Sequence, residues 1–70
     1  MKTLLIISSG TEAVPGIKIA KKMGLFVVST DADPGAPGFR YSDDKLIAST
    51  YDIEGTINKV NDYVNRKRKI

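Results

Sequence analysis

A parallel α/β fold with elements in the order β-α-β-β-α is what the sequence predicts, on three observations. Apolar residues run without alternation through Leu4-Leu5-Ile6-Ile7 and again through Leu25-Phe26-Val27-Val28. That pattern belongs to strands covered on both faces, as in a parallel sheet. Between the two runs, Ala13, Ile17 and Ala20 fall on one helical face, with Val14 and Met23 beside it and Lys18, Lys21 and Lys22 turned away. Strand, helix and strand within about thirty residues describe a right-handed βαβ unit.

Each element carries its own start and stop signals. The first strand runs over Lys2–Ser8 and is broken by Ser9-Gly10-Thr11. Pro15 fits only a first helical turn, so the helix begins between Thr11 and Val14, with Thr11 as its expected N-cap. Lys21-Lys22 followed by Gly24 is a C-terminal signal. The second strand covers Leu25–Thr30. The stretch Asp31–Asp44 is a long loop punctuated by Pro34, Gly35, Pro37 and Gly38, with one helical turn at Gly38–Tyr41. Lys45–Ser49 is a short third strand. Asp52 caps the last helix, in which Ile53, Ile57, Val60 and Val64 form one stripe and Gly55 weakens the first turn.

With 70 residues the chain makes one domain, residues 1–70, of marginal core size. It contains no cysteine and no histidine. Disulfides, thiolate zinc sites, a cysteine nucleophile, a histidine-dependent triad and histidine metal sites are excluded within it. The longest apolar run falls far short of the ~20 residues of a membrane span, and the N-terminus lacks the pattern of a signal peptide. A cytoplasmic location is the expectation. The net charge of +3 is a property of the end of the chain. Arg66-Lys67-Arg68-Lys69 supply four of the eleven basic residues, and the other seven are outnumbered by eight acidic ones. These four read as a solvated helix end suited to the helix dipole. Nucleic-acid binding is not expected, because no aromatic residues are interleaved to stack bases.

Candidate binding residues cluster after the first strand. Ser9, Gly10, Thr11 and Glu12 lie where a parallel strand ends and a helix begins, a place whose free N–H groups and dipole favour phosphate or carboxylate. The alternative is a tight turn with a capped helix. Asp31 ends the second strand, where dinucleotide-binding folds place a ribose-binding acid. No G-x-G-x-x-G accompanies it, Gly10 and Gly16 being six residues apart. Asp33-Pro34 reads as a turn whose carboxylate accepts local N–H groups. Asp43 and Asp44 should point apart and hold no metal. Tyr41, Tyr51 and Tyr63 read as packed rings.

Nearly the whole chain, from Lys2 to about Val64, resembles the N-terminal (pre-ATP-grasp) domain of ATP-grasp ligases, the family of biotin carboxylases, carbamoyl phosphate synthetases and purine-biosynthesis ligases. The residues that carry the resemblance are Leu4-Leu5-Ile6-Ile7 with Ser9-Gly10, then Val14-Pro15-Gly16-Ile17, then Lys22-Met23-Gly24-Leu25-Phe26-Val27-Val28. Asp31-Ala32-Asp33-Pro34-Gly35-Ala36-Pro37-Gly38 and Tyr41-Ser42-Asp43 come next, in the family's order. The resemblance implies a Rossmann-like three-layer fold with strand order 3-2-1, ending before a fourth strand that would lie beside strand one. It implies a first loop that holds the non-nucleotide substrate, carried over to Gly10, Thr11 and Glu12 by position. One glycine stands here where many relatives have two or three.

For function, the resemblance implies an N-terminal, substrate-side segment of an ATP-dependent ligase, inactive alone, whether as a fragment, a split subunit or a stand-alone relic. ATP and magnesium would be bound in the completed enzyme and no cofactor by this chain alone. Two rival readings are a stand-alone Rossmann-like module for a nucleotide or anion, and a dimerisation unit. The expected partner is either a second copy, paired through strand one, or the ATP-grasp remainder of the ligase.

Overall fold

Residues 1–70 are described by a computed structural model. Three parallel strands, β1 (Thr3–Ile7), β2 (Phe26–Asp31) and β3 (Asp44–Ile47), form one sheet in the order β1-β2-β3. Helix α1 (Val14–Lys22) joins the first two strands and α2 (Ile53–Arg66) comes after the third. A single 3-10 turn at Thr11–Ala13 precedes α1, and a second at Pro37–Tyr41 lies between β2 and β3. The expected order and parallel pairing are both observed. No helix is long and apolar enough to cross a membrane.

The register sorts the side chains onto two faces. Leu4 pairs with Val27, and Ile6 with Ser29, which in turn faces Lys45. Ile6 and Val27 pack on Ile17 and Ala20 of α1, with Ala13 and Leu25 at the margin, so this is the α1 face. Leu5, Val28 and Asp44 share the opposite face, where Asp44 accepts a 2.7 Å hydrogen bond from Tyr63 Oη of α2. Helices therefore cover both sides of the sheet, giving three layers. The last residues also fold back onto the α2 face. The Arg68 guanidinium lies 3.4 Å from the Phe26 ring centre, and Lys67 Nζ lies 4.0 Å from Asp44. The tail expected to be solvated thus contributes a cation–π contact.

Helix boundaries depart from the sequence reading in one place. Thr11 opens the 3-10 turn instead of capping α1, whose N-cap is Ala13 with no side-chain bond. Pro15 explains this: lacking an N–H, it removes one of the donors a cap would serve. The C-terminus behaves as expected. Gly24 adopts a left-handed φ of 83°, its N–H bonds Lys21 O at 3.0 Å, and the Leu25 N–H bonds Ala20 O at 3.1 Å. This pair of bonds is the Schellman arrangement, which satisfies the final carbonyls and turns the chain directly into β2. Asp52 caps α2, accepting from the Gly55 N–H at 2.9 Å.

The long β2–β3 connection is fixed by a closed hydrogen-bond ring. Ser9 Oγ donates to Ser29 Oγ at 2.6 Å, Ser29 and Ser42 hydroxyls are 2.6 Å apart, and Ser42 Oγ donates to Gly38 O at 2.9 Å. The Gly38 N–H returns to Ser9 O at 2.7 Å. Since Ser42 spends its proton on Gly38, Ser29 must donate to Ser42, and the hydroxyls of Ser29 and Ser42 each give and receive. Only glycine fits at position 38. A Cβ there would lie 2.8 Å from Ser9 O and 2.9 Å from Ile17 Cδ1. A second tie is the Asp43 carboxylate, which accepts from Lys21 Nζ at 2.6 Å and from the Val27 N–H at 2.7 Å. Lys21 first, and then the Val27 N–H, hold the Asp43 carboxyl below the ordinary carboxylate range against the opposing effect of burial. Asp43 and Asp44 point apart, one to each face, as expected of neighbours in extended chain.

Truncating Ser29 to alanine should cost about 1–3 kcal/mol, because the buried Ser9 hydroxyl loses its acceptor and the half-buried Ser42 hydroxyl loses its donor. Urea unfolding measures this. A loss within about 0.5 kcal/mol of zero, the range of ordinary surface substitutions, would show the ring to be incidental.

Burial, and then the hydrogen bond to Asp44, push the Tyr63 phenol up from 10.0 to about 12. The folded chain holds this proton more tightly than the unfolded chain. The associated stability is therefore complete below the unfolded value of 10.0 and is lost as the pH rises through about 12. An ultraviolet phenolate titration should show one late step near that value, missing in Tyr63→Phe. A late step that survives in the variant would place it on another ring.

Candidate functional site at the carboxyl end of the sheet

All three strands end on the same side, and their loops gather there. Beyond the last ladder pair, Ile7 with Thr30, the β1 chain continues along β2 through side chains. The Ser8 N–H donates to Thr30 Oγ1 at 3.2 Å and the Ser9 N–H to Asp31 Oδ2 at 3.0 Å. Ser8 reaches this position with φ at 79°, a left-handed backbone unusual for a residue with a side chain. Asp31 also accepts from the Asp33 N–H at 3.0 Å through its other oxygen. The N–H groups of Asp33, then Ser9, with a smaller part from Ala32, hold its carboxyl below the ordinary range and outweigh burial. Asp31 is thus an ionised clamp between the first and second loops. Asp33 makes the expected turn, accepting from the Gly35 N–H at 2.9 Å.

The predicted residues divide by what they already do. Ser9 is completely buried, and its N–H, carbonyl and hydroxyl are all engaged within the chain. Its part is to hold the loop in place. Gly10 and Thr11 have N–H groups with no partner in the chain, and these are the donors an anion could use. Glu12 folds its carboxylate back over Gly10, where an added Cβ would meet Oε1 at 2.8 Å. Glu12 is exposed and can swing away.

Several site features escaped the sequence reading. Ser29 and Ser42 looked like ordinary strand and loop residues, and nothing in their spacing announced a ring. Tyr63 packs as expected, at 4% exposure, but Tyr51 does not: its ring is 98% exposed. Tyr51 comes after Ser49 and Thr50 in the β3 loop, close to Asp31 and Ser8 across a small crevice. Its position immediately before the Asp52 cap was the one available signal, since a residue there stands outside the amphipathic stripe.

No protein-family model matches the chain, and no curated protein matches it. Solved structures do. N5-carboxyaminoimidazole ribonucleotide synthetase from Thermotoga maritima superposes with a TM-score of 0.77 at 31% identity, over 89% of this chain and 17% of that one. The N5-carboxyaminoimidazole synthetase from Staphylococcus aureus, complexed with ADP, gives 0.75 at 28% identity, over 87% and 16%. An ADP complex of another N5-carboxyaminoimidazole ribonucleotide synthetase gives 0.74 at 25%, over 86% and 16%. These proteins are ATP-grasp ligases, and the present chain spans only 16–17% of their length. The likeness to an N-terminal domain of ATP-grasp ligases, read from the sequence, is therefore a likeness in three dimensions.

Gly10→Val should leave the fold standing, because the group it strikes is the free end of an exposed side chain. Thermal melting followed by circular dichroism should show a shift of only a few degrees, corresponding to about 1 kcal/mol or less. Failure to fold would mean that Gly10 serves the architecture and not the loop's exposed donors.

Proposed function

We propose that this chain is the N-terminal, substrate-side domain of an ATP-dependent carboxylate–amine ligase of the ATP-grasp type, or of a carbamoyl phosphate synthetase-like enzyme. The observation that carries this reading is the fold match to three such ligases, one of them 31% identical over 89% of the chain. The domain contributes loops to a site completed elsewhere and performs no ligation alone. ATP and magnesium belong to the completed enzyme, and the setting is cytoplasmic. Within the domain, the unpartnered N–H groups of Gly10 and Thr11 receive an anionic or carbonyl group of the substrate, Glu12 bounds that position, and Ser9 and Asp31 hold the loop. The same exposed donors support the rival reading of a stand-alone anion-binding module.

The partner reading rests on β1. It pairs only with β2, so its other edge presents free N–H and C=O groups. Leu4 is 38% exposed on one face and Ile7 50% on the other, while Ile53 and Ile57 of α2 stand 69% and 53% exposed. Lys2 is the sole nearby charge to discourage pairing. Only 11 of 70 residues are buried, so covering this edge would add substantially to a thin core. Either the ATP-grasp remainder of the ligase or a second copy of the chain pairs with this edge.

Sedimentation equilibrium at micromolar concentration tests the proposal, with the chain alone and with the Thermotoga maritima synthetase lacking its matching segment. The expected result is a saturable complex with the truncated synthetase, with phosphate release from ATP restored in the mixture and absent from the chain alone. A clean 7.6 kDa monomer in both samples, with the amides of Leu4 to Ile7 protected from exchange, would overturn the open-edge reading. ATP turnover by the repurified chain alone would overturn the claim that it is not catalytic by itself.

A further inference from the structure

The two outer edges of the sheet are chemically unlike. The β1 edge is apolar. At the other edge, β3 pairs only with β2. The Asp43 N–H points inward, to Val27 O at 2.8 Å. Successive residues of a strand direct their backbone groups to alternate sides, so the N–H and C=O of Asp44 and Leu46 point outward. Beside this edge lies a groove of about 320 Å³ whose apolar lining is Leu46 and Tyr63. Helix α2 forms its far wall. Lys59, Asp62, Tyr63 and Arg66 recur at intervals of three and four residues and so share one side of the helix, and Lys67 continues that side.

The groove is strongly cationic. Lys45, Lys59, Arg66 and Lys67 line it and are all exposed, against Asp62 as its one lining carboxylate. Their partners within the chain leave most of their donors unused. Lys59 bonds Ile47 O, Arg66 lies 3.4 Å from Asp62, and Lys67 lies 4.0 Å from Asp44. An ammonium has three donors and a guanidinium five, so each can serve a further acceptor. Lys45 stands across from Ser29 and 5.6 Å from the Phe39 ring centre, on the other face of the same edge.

One lysine on a short edge strand is enough to discourage stray pairing. Here α2 adds three more cations. Such an edge repels neutral and basic strands and attracts one that carries carboxylates. From Lys59 to Arg66 the helix rises about 10 Å, the reach of about three extended residues, which a strand with carboxylates at alternate positions spans. The chain itself does not supply that strand. Two-fold pairing of β3 with its own copy would set one cationic edge against another, and β1 holds no acidic residue.

We propose that this groove takes an extended acidic segment of a partner protein, added to the sheet along the free edge of β3 with its carboxylates on Lys59, Arg66 and Lys67. Backbone bonds to Asp44 and Leu46 supply the hold, and the spacing of the carboxylates supplies the selection. The surface is separate from the loops at the carboxyl end of the sheet and from the β1 edge, and its role goes beyond the ligase reading.

The probe is a capped peptide of about eight residues alternating glutamate with valine, long enough for one strand. Titrated into the full chain at low salt, it should shift the nitrogen–proton correlations of Asp44, Leu46 and Lys67 and slow hydrogen exchange at the Asp44 and Leu46 amides. Lys45→Glu combined with Arg66→Glu, both at exposed side chains, should weaken binding about tenfold. A second arm leaves the chain unaltered. The same peptide methylated at every backbone nitrogen keeps its charges and loses its ladder donors, and it should bind at least about tenfold more weakly. Equal binding of the methylated peptide would reduce the contact to charge attraction and overturn strand addition. Equal binding of a peptide alternating lysine with valine would overturn the acidic partner. Shifts confined to Leu4–Ile7 would place the added strand on β1 and overturn the site. Shifts with a DNA duplex and none with the acidic peptide would overturn the partner class, and no shifts with any probe would overturn the proposal outright.

Discussion

The ring of hydrogen bonds through Ser9, Ser29, Ser42 and Gly38 is the constraint on which the rest of the molecule depends. It ties the end of β1, the middle of β2 and the loop before β3 at one point, using atoms that would otherwise be buried without partners. Its geometry sets Ser9 in the interior and so brings the Gly10–Glu12 segment to the surface. It also obliges the β2–β3 connection to lie on the α1 face. Because that connection takes one face, α2 takes the other, and the crevice beside Asp31 opens between them. No buried side-chain polar atom is left unpaired, which is how a domain with so few apolar residues inside can tolerate three buried hydroxyl residues.

Much of this architecture was legible in the sequence because it obeys local rules. Uninterrupted apolar runs located β1 and β2, Gly24 marked the end of α1, and Asp52 marked the start of α2. Asp33 was readable as a turn residue because an aspartate before proline has few other ways to use its carboxylate. The features that escaped are those fixed by distance in space. Ser29 and Ser42 acquire meaning only when the parallel register brings them together. Thr11 looked like a cap because hydroxyl residues before helices usually are, and the 3-10 turn ahead of Pro15 moved that place to Ala13. Arg68 was read as part of a charge run, whereas the return of the chain over Phe26 gives it an aromatic partner.

Legibility of the candidate site was mixed for the same reason. The loop after the first strand could be located by composition, and Asp31 by its place at a strand end. Their division of labour could not be. In the fold, Ser9 is wholly engaged in support, Asp31 both supports and faces the crevice, and Gly10 and Thr11 retain unpaired donors. Tyr51 was assigned to the interior on the general tendency of aromatic rings to pack. It stands in the open because the β3 loop must pass outward before Asp52 can begin α2.

The parallel register carries a consequence for how the chain folds. Every strand pair joins segments separated by a long connection, β1 to β2 through α1 and β2 to β3 through the Pro37–Tyr41 turn. No hairpin exists to start the sheet cheaply, and loop-closure entropy must be met before any ladder bond forms. The serine ring closes only when all three segments have arrived, so its contribution comes at the end of assembly and not at the start. Helix α1 with its tight exit at Gly24 is the one element able to bring β1 and β2 together early. Until the ring shuts, the apolar β1 run is held along β2 alone, and the interval before closure is when this small domain is most open to joining the wrong strand.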